Sequence, residues 1–174
     1  MGQDKKNLSL NGRPQFQHLH NMMEQVFESV FISLSSTEAI GDQHKIIRDQ
    51  YDFQGPLNGI LSSLSANPDS AILCVAVDMP NISIESIQTL LKHRDRTYAA
   101  TCYLNKNINL LEPLFSIWEP ASRNLIQTFI SQKIYSPYKI LSHDSVKKVE
   151  TFDSKIFENL NSPTDLKNFH QENS

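Results

Sequence analysis

The sequence predicts a three-layer α/β domain in which helices cover both faces of a mostly parallel sheet. Apolar stretches typical of strands alternate along the chain with longer segments of helical periodicity. Residues 71–77 are continuously apolar, as expected for a parallel strand that is covered on both faces. A chain of 174 residues with 39% hydrophobic residues is long enough for one such domain, so we expect residues 1–174 to form a single domain.

Helix and strand signals alternate through the first half of the chain. Residues 14–29 carry apolar side chains at spacings of three and four, which predicts an amphipathic helix. Residues 30–34 are mostly β-branched, aromatic or aliphatic and predict a strand, and residues 44–48 are a shorter second candidate. A further apolar stripe begins after Gly55 and predicts a helix that ends near Asn67.

The second half of the chain continues the alternation. The apolar run of residues 71–77 stops at Asp78, and Ser83 is suitably placed to cap a helix that extends through Leu91. The remaining predicted elements are strands at 97–103, 113–118, 138–141 and 147–151, a helix at 121–132, and a last helix that begins at Ser162. Ligands bind such sheets at the carboxyl ends of the strands, so the residues that follow each apolar run are the most informative.

Composition excludes several classes of protein. The net charge is −3 and the basic residues are scattered, whereas a nucleic-acid surface needs a concentrated basic face. No apolar run approaches the roughly 18 to 20 residues that cross a bilayer, and no signal peptide is recognisable, so we expect a cytoplasmic protein that binds no membrane. Cys74 and Cys102 lie in apolar stretches without a ligand-spaced partner, which predicts buried reduced thiols.

Asp78 is the most informative single position. A carboxylate that follows seven apolar residues requires a positive group to offset its desolvation. Magnesium is one such group, because proteins hold Mg²⁺ with one or two carboxylates together with substrate phosphates. The alternative is that Asp78 caps its own turn before Met79 through backbone hydrogen bonds.

Other candidate residues lie in polar segments around the predicted sheet. Gly55 and Gly59 flank a segment at the start of a predicted helix. The backbone there can approach an anionic ligand, and the alternative is that the segment forms a structural turn. Asp49 would supply a second carboxylate at the same edge, although an exposed loop aspartate is the alternative. Lys5 lies in a polar N-terminal segment. Asn159 and Asn161 bring two amides to a helix start, where they can bond a ligand or the loop itself.

Five motifs in sequential order resemble those of the molybdenum cofactor guanylyltransferases. The segments that carry this resemblance are residues 1–14, beginning Met-Gly-Gln-Asp-Lys; residues 55–60, Gly-Pro-Leu-Asn-Gly-Ile; residues 77–80, Val-Asp-Met-Pro; residues 112–118, which contain Pro-Leu; and residues 159–166, Asn-Leu-Asn-Ser-Pro-Thr-Asp-Leu. Asn58 and Ser162 stand where the family pattern has Ala and Thr, and we regard both as mild changes.

The resemblance implies a Rossmann-like fold of the nucleotide-diphospho-sugar transferase type and a specific reaction. That reaction is transfer of GMP from GTP to molybdopterin with release of pyrophosphate. The implied roles are nucleotide binding by Lys5, Ser33, Asp49, Gly55 and Asp78, catalysis by Lys5 and Asp78, Mg²⁺ coordination by Asp78, and contact with molybdopterin by Asn159 and Asn161. The implied partners are the two substrates, with transient contacts to molybdoenzymes or other cofactor-biosynthesis proteins.

The family pattern begins upstream of the part that this sequence matches. The family has a first strand and a Gly-Gly-x-Ser-x-Arg loop before the matching segment, so the resemblance implies an N-terminally truncated domain without that strand. Two alternatives therefore stay open: transfer of another nucleotide, such as CMP, and a binding protein of the same fold without catalytic activity.

Overall fold

The computed structural model describes residues 9–10, 13–35, 37, 44–151, 153 and 155–157. The strands are β1 (Ser9–Leu10), β2 (Arg13–Pro14), β3 (Ile32–Leu34), β4 (Ile46–Arg48), β5 (Ile72–Val75), β6 (Ala100–Asn105), β7 (Leu110–Trp118) and β8 (Val146–Thr151). The helices are α1 (Gln15–Glu24), α2 (Pro56–Ala66), α3 (Ile84–Lys92), α4 (Ser122–Ser131) and α5 (Pro137–Leu141). Lys5, Asn159, Asn161 and the helix predicted from Ser162 lie outside the described residues.

The chain divides into two compact units. One unit comprises residues 1–30, 76–87 and 153–174, and the other comprises residues 31–75 and 88–152. In the first unit, β1 and β2 pair antiparallel, and α1 buries Leu19 and Met23. The expectation of a single domain stays a prediction.

The strands of the second unit form two sheets. β3 and β4 are a parallel pair, and the larger sheet has the strand order β5-β7-β6-β8. β7 runs antiparallel to both of its neighbours, whereas β6 and β8 are parallel. The α/β class is therefore confirmed, but the prediction of a mostly parallel sheet is corrected to a mixed sheet. The short turn between β6 and β7 explains the difference, because so short a connection joins only antiparallel strands.

Two predicted strands differ from the structure. The apolar run of residues 71–77 forms only the four-residue strand β5, and its side chains are half-buried. Among the described strands β5 pairs only with β7, so it lies at a sheet edge, where coverage is less complete. Residues 138–141 are not a strand but part of α5, because Ser136 caps this helix and Pro137 occupies its first turn.

The core of the second unit lies between the larger sheet and helices α2, α4 and α5. Its buried side chains are Leu57, Ile60, Leu61, Leu64, Ala100, Cys102, Trp118, Ile126, Ile140, Leu141 and Val146. The indole of Trp118 donates a hydrogen bond to Ser116 Oγ at 2.8 Å, so its polar group is satisfied despite full burial. Four of these residues belong to α2, and their burial fixes that helix firmly to the sheet.

An ion pair between a half-buried guanidinium and a buried carboxylate lies at the carboxyl end of β7. Arg94 Nε donates to Glu119 Oε1 at 2.6 Å, and Arg94 Nη2 donates to Glu119 Oε2 at 2.8 Å. The side chain of Glu119 is 4% exposed and that of Arg94 is 27% exposed. Hydrogen bonding to Glu119 raises the pKa of Arg94, so the guanidinium stays charged. This bidentate geometry offsets the desolvation of both groups.

We predict that Arg94→Ala lowers the free energy of unfolding by about 3–5 kcal/mol, because Glu119 would remain buried as an uncompensated charge. Arg96→Ala is the matched control, since Arg96 is exposed, and it should change stability by less than about 0.5 kcal/mol. Urea denaturation measures both. A loss for Arg94→Ala no larger than that of the control would contradict the assigned role of this ion pair.

Candidate active site

The parallel pair β3–β4 brings two predicted site residues to one end of a sheet. Its register pairs Leu34 with Arg48, and the Asp49 N–H donates to the Leu34 carbonyl at 3.0 Å, which extends the pairing beyond β4. Leu34 and Ile47 are buried and anchor the two strands. Ser33 and Asp49 consequently lie at the carboxyl end of this pair, the edge at which open α/β sheets bind ligands.

Gly59, in the first turns of α2, allows this strand end to approach the helix closely. A Cβ at position 59 would overlap Ser33 Oγ and would lie 3.7 Å from Asp49 Oδ1. Any residue other than glycine would therefore displace the Ser33 hydroxyl. The two side chains thus lie close together at Gly59, and their contact with a nucleotide stays a prediction.

Gly55 starts the same helix in a conformation that only glycine adopts readily. Its φ is 103° and its ψ is 174°, and it occupies the N-cap position without a side-chain cap. In the part of the chain that the structure describes, no atom beyond its two chain neighbours lies within 4 Å of where its Cβ would be, so the requirement for glycine is conformational rather than steric. The start of α2 has no capping side chain, but Pro56 has no N–H and the Asn58 N–H donates to the Gly55 carbonyl at 3.0 Å, so this helix start offers an anion few N–H groups.

Asn58 ties the loop between β4 and α2 to the helix. We refer to residues 49–55 as the Asp49 loop. Asn58 Oδ1 accepts from the N–H groups of Gln50 and Tyr51, both at 3.2 Å. Asn58 Nδ2 donates to the carbonyls of Tyr51 and Phe53, both at 2.7 Å. The Asn58 side chain therefore holds the loop in place through its backbone. We interpreted the difference from the alanine of the family pattern as mild, and these hydrogen bonds correct that interpretation.

Ser62, one helical turn further on, completes this network. Its hydroxyl donates to Asn58 Oδ1 at 3.1 Å and accepts from the Gln50 N–H at 3.0 Å. Asn58 is 2% exposed and Ser62 is fully buried. Every bond from the two side chains to the loop goes to the main chain, so together they determine its backbone path. The two residues are four apart in the sequence and so lie on the same face of α2, but this spacing does not reveal the loop that they hold.

Asp78 lies in a turn after β5, within the other unit. The residue is half-buried, and Met79 next to it is fully buried. The turn leads to α3, where Ser83 Oγ accepts from the Ser86 N–H at 3.2 Å and Ser86 Oγ accepts from the Ser83 N–H at 3.0 Å. The predicted Ser83 cap is confirmed. The predicted role of Asp78 in metal binding stays a prediction.

The described donors match magnesium better than zinc. In the part of the chain that the structure describes, no group of three or more His, Cys, Asp and Glu side chains surrounds a common point. A structural zinc site needs four such ligands, mainly nitrogen and sulfur. Magnesium needs only one or two carboxylates when substrate phosphates supply other ligands, and the carboxylate of Asp78 is the donor that the sequence predicts for it.

The cysteines are unsuited to metal binding or nucleophilic catalysis. Burial raises the pKa of Cys74 to about 12, with a further increase from the negative charge of Glu112. Burial also raises the pKa of Cys102 to about 12, against a smaller opposing effect of Lys148. Both cysteines are free thiols, and Cys102 is buried as predicted, whereas the Cys74 side chain is half-buried.

A comparison with known protein families identifies the family of this chain. Residues 1–146 match the family model described as "MobA-like NTP transferase domain". The chain therefore belongs to the MobA-like NTP transferase family, and the family resemblance seen in the sequence is confirmed. None of the described helices has the length and apolar character needed to span a bilayer.

Curated relatives carry names from molybdenum cofactor biosynthesis. The molybdenum cofactor guanylyltransferase of Pseudomonas aeruginosa (strain UCBPP-PA14) is 28% identical over 176 residues, which cover 98% of this chain and 87% of that protein. A molybdenum cofactor biosynthesis bifunctional protein of Synechocystis is 26% identical over 168 residues. That match covers 95% of this chain but 48% of the Synechocystis protein, so the chain spans about half of its length.

Solved structures support the fold. The crystal structure of molybdopterin-guanine dinucleotide biosynthesis protein A from Archaeoglobus fulgidus superposes with a TM-score of 0.76 at 18% identity, covering 98% of this chain and 91% of that chain. The 2-C-methyl-D-erythritol 4-phosphate cytidylyltransferase from Thermus thermophilus gives a TM-score of 0.69 at 14% identity, covering 97% and 93% of the two chains. The same fold therefore occurs in proteins named for two different nucleotides.

We predict that the two thiols react slowly in the folded protein. At pH 8 a thiol with a pKa of about 12 is ionised in only about one molecule in ten thousand, and the thiolate is the reactive form. Alkylation by iodoacetamide, followed by mass spectrometry, should be slow in buffer and fast in urea, where the pKa returns to about 8.5. Rapid labelling of either thiol in the folded chain would contradict its raised pKa.

We predict an energetic coupling between Gly59 and Ser33. Gly59→Ala should lower the free energy of unfolding by about 1–3 kcal/mol more in the wild-type background than in a Ser33→Ala background. The reason is that only the serine hydroxyl overlaps the new methyl group. A double-mutant cycle by urea denaturation measures this difference. Additive effects of the two substitutions would contradict the close approach of β3 to α2.

Proposed function

We propose that the protein transfers GMP from GTP to the terminal phosphate of molybdopterin and releases pyrophosphate. The observation that carries the proposal is the convergence of Ser33 and Asp49 at Gly59, near the start of α2. This arrangement occurs in a chain of the MobA-like NTP transferase family, whose curated relatives are named molybdenum cofactor guanylyltransferases at 28% identity.

The proposed reaction is a displacement at phosphorus. A phosphate oxygen of molybdopterin attacks the α-phosphorus of GTP, a new phosphoanhydride bond forms, and the bond between the α- and β-phosphates breaks. Pyrophosphate leaves with the electron pair of the broken bond. Because the attacking oxygen is already ionised, alignment and charge stabilisation account for most of the acceleration, and a strong general base is unnecessary.

The roles of individual residues follow from their charge and position. In this proposal Ser33, Asp49 and Gly55 contact the nucleotide at the start of α2, and Asp78 is the carboxylate that holds Mg²⁺. Lys5 neutralises charge on the leaving pyrophosphate, and Asn159 and Asn161 contact molybdopterin. When bound, Mg²⁺ supplies positive charge to the triphosphate. The residues of the chain orient the two substrates and bring their phosphates together.

Two competing functions are outcomes of the same test. The likeness to the Thermus thermophilus cytidylyltransferase shows that this fold is compatible with another nucleotide, so CTP is compared with GTP. A binding protein of the same fold without catalytic activity would bind a nucleotide and release no pyrophosphate. Measurements of turnover and binding together separate the three functions.

We predict Mg²⁺-dependent release of pyrophosphate from GTP in the presence of molybdopterin, with slower turnover of CTP. Asp78→Asn should lower this turnover by at least about 100-fold, the loss expected for one essential charge contact. The exposed Asp144 provides the matched control, and Asp144→Asn should retain wild-type turnover. A coupled pyrophosphate assay measures all three proteins. Faster turnover of CTP, or equal turnover by the two variants, would refute the assignment.

A further inference from the structure

The Asp49 loop is fixed more tightly than a connection between a strand and a helix requires. The Asn58 side chain accepts three hydrogen bonds and donates two, and four of these five bonds reach the backbone of residues 50–53. Both amide hydrogens of Asn58 Nδ2 have carbonyl acceptors, so the donor capacity of the side chain is fully used. The atoms that it binds belong to the loop main chain and to Ser62.

We propose that Asn58 is a positioning residue that sets nucleotide affinity by holding Asp49 in place. This inference rests on the proposed function, because it assumes that Asp49 contacts the nucleotide. It extends that function by assigning a role to Asn58, which the sequence analysis named neither as a nucleotide contact nor as a metal ligand. Asn58 itself does not contact the substrate and acts only through the loop.

The main chain at Asp49 is held on both sides. Its own N–H donates to the Leu34 carbonyl at 3.0 Å. The next N–H, that of Gln50, is shared between Asn58 Oδ1 at 3.2 Å and Ser62 Oγ at 3.0 Å. A shift of Asp49 along the loop would therefore break bonds to a strand on one side and to a helix on the other.

The helix that carries Asn58 is a rigid support. Leu57 and Leu64 are fully buried, and Ile60 and Leu61 are nearly so. Asn58 and Ser62 lie one turn apart on this anchored helix, so the loop takes its position from the core of the unit. A loop that is already ordered loses little conformational entropy when a ligand binds. This smaller entropic cost makes the affinity for the ligand higher.

The arrangement predicts a specific kinetic signature. If Asn58 positions a group that contacts the nucleotide equally in the ground state and in the transition state, its loss raises KM and leaves kcat unchanged. A residue that served only stability would lower the denaturation temperature and leave the nucleotide affinity of the folded protein unaltered. The two roles therefore differ in a measurable quantity.

The experiment measures binding of GTP with Mg²⁺ by calorimetry, well below the denaturation temperature of each variant. Asn58→Ala should weaken the affinity by at least about tenfold, equivalent to 1.4 kcal/mol. Asn58→Asp keeps the acceptor oxygens and loses both donors, so it should also weaken binding. Amide hydrogen exchange at Gln50 and Tyr51 should become faster in Asn58→Ala, which loses the oxygen that accepts from both N–H groups.

Asn67→Ala is the matched control. Asn67 lies at the other end of α2, and its side chain donates to the Ser63 carbonyl at 3.0 Å without contact to the Asp49 loop. This variant should retain wild-type affinity. If Asn58→Ala does not fold, Ser62→Ala provides the second test, because it removes one of the two acceptors of the Gln50 N–H and should weaken binding to a smaller extent.

The outcomes separate this inference from the proposed function. Wild-type affinity in a folded Asn58→Ala or Ser62→Ala protein would overturn the inference and leave guanylyl transfer intact. Binding of GTP that depends on Asn58, without any transfer to molybdopterin, would support the inference and overturn the proposed function. A wild-type protein that binds neither GTP nor CTP would overturn both.

Discussion

The close packing of α2 against the ends of β3 and β4 is the constraint on which the candidate site depends. The apolar face of α2 fixes the helix to the larger sheet, and Gly59 leaves room for Ser33 at the point of contact. The polar groups Asn58 and Ser62 then hold the loop that follows β4. One helix thus combines an anchored apolar face, a gap for the strand ends and a set of loop contacts.

Much of the local structure could be predicted because local signals are strong. The spacing of Leu57, Ile60, Leu61 and Leu64 predicts α2, and the structure buries those four residues. Ser83 caps α3 as predicted from its position before an apolar stripe. Two of the predicted nucleotide contacts, Ser33 and Asp49, lie together because parallel strands bring their carboxyl ends to the same edge.

Features that depend on distant parts of the chain could not be predicted in the same way. Strand direction has no signature within a strand, so the antiparallel placement of β7 and the mixed sheet that it creates became evident only in three dimensions. The apolar side chains of residues 138–141 suit a strand or a helix, and the Ser136 cap decided for the helix. The importance of Asn58 depends on a loop that folds back on α2, which no spacing along the chain reveals.

The bonds that hold the Asp49 loop also leave its sequence free to vary. Asn58 recognises only peptide groups of Gln50, Tyr51 and Phe53, and every residue type except proline offers the same N–H and C=O. Exchange of the exposed side chains of Gln50 and Asp52 therefore preserves the path of the backbone, whereas Phe53 also packs against the core and stacks on Tyr135. Related proteins could therefore differ at these exposed positions and acquire new ligand preferences. The hydrogen bonds from α2 to the loop backbone would stay the same.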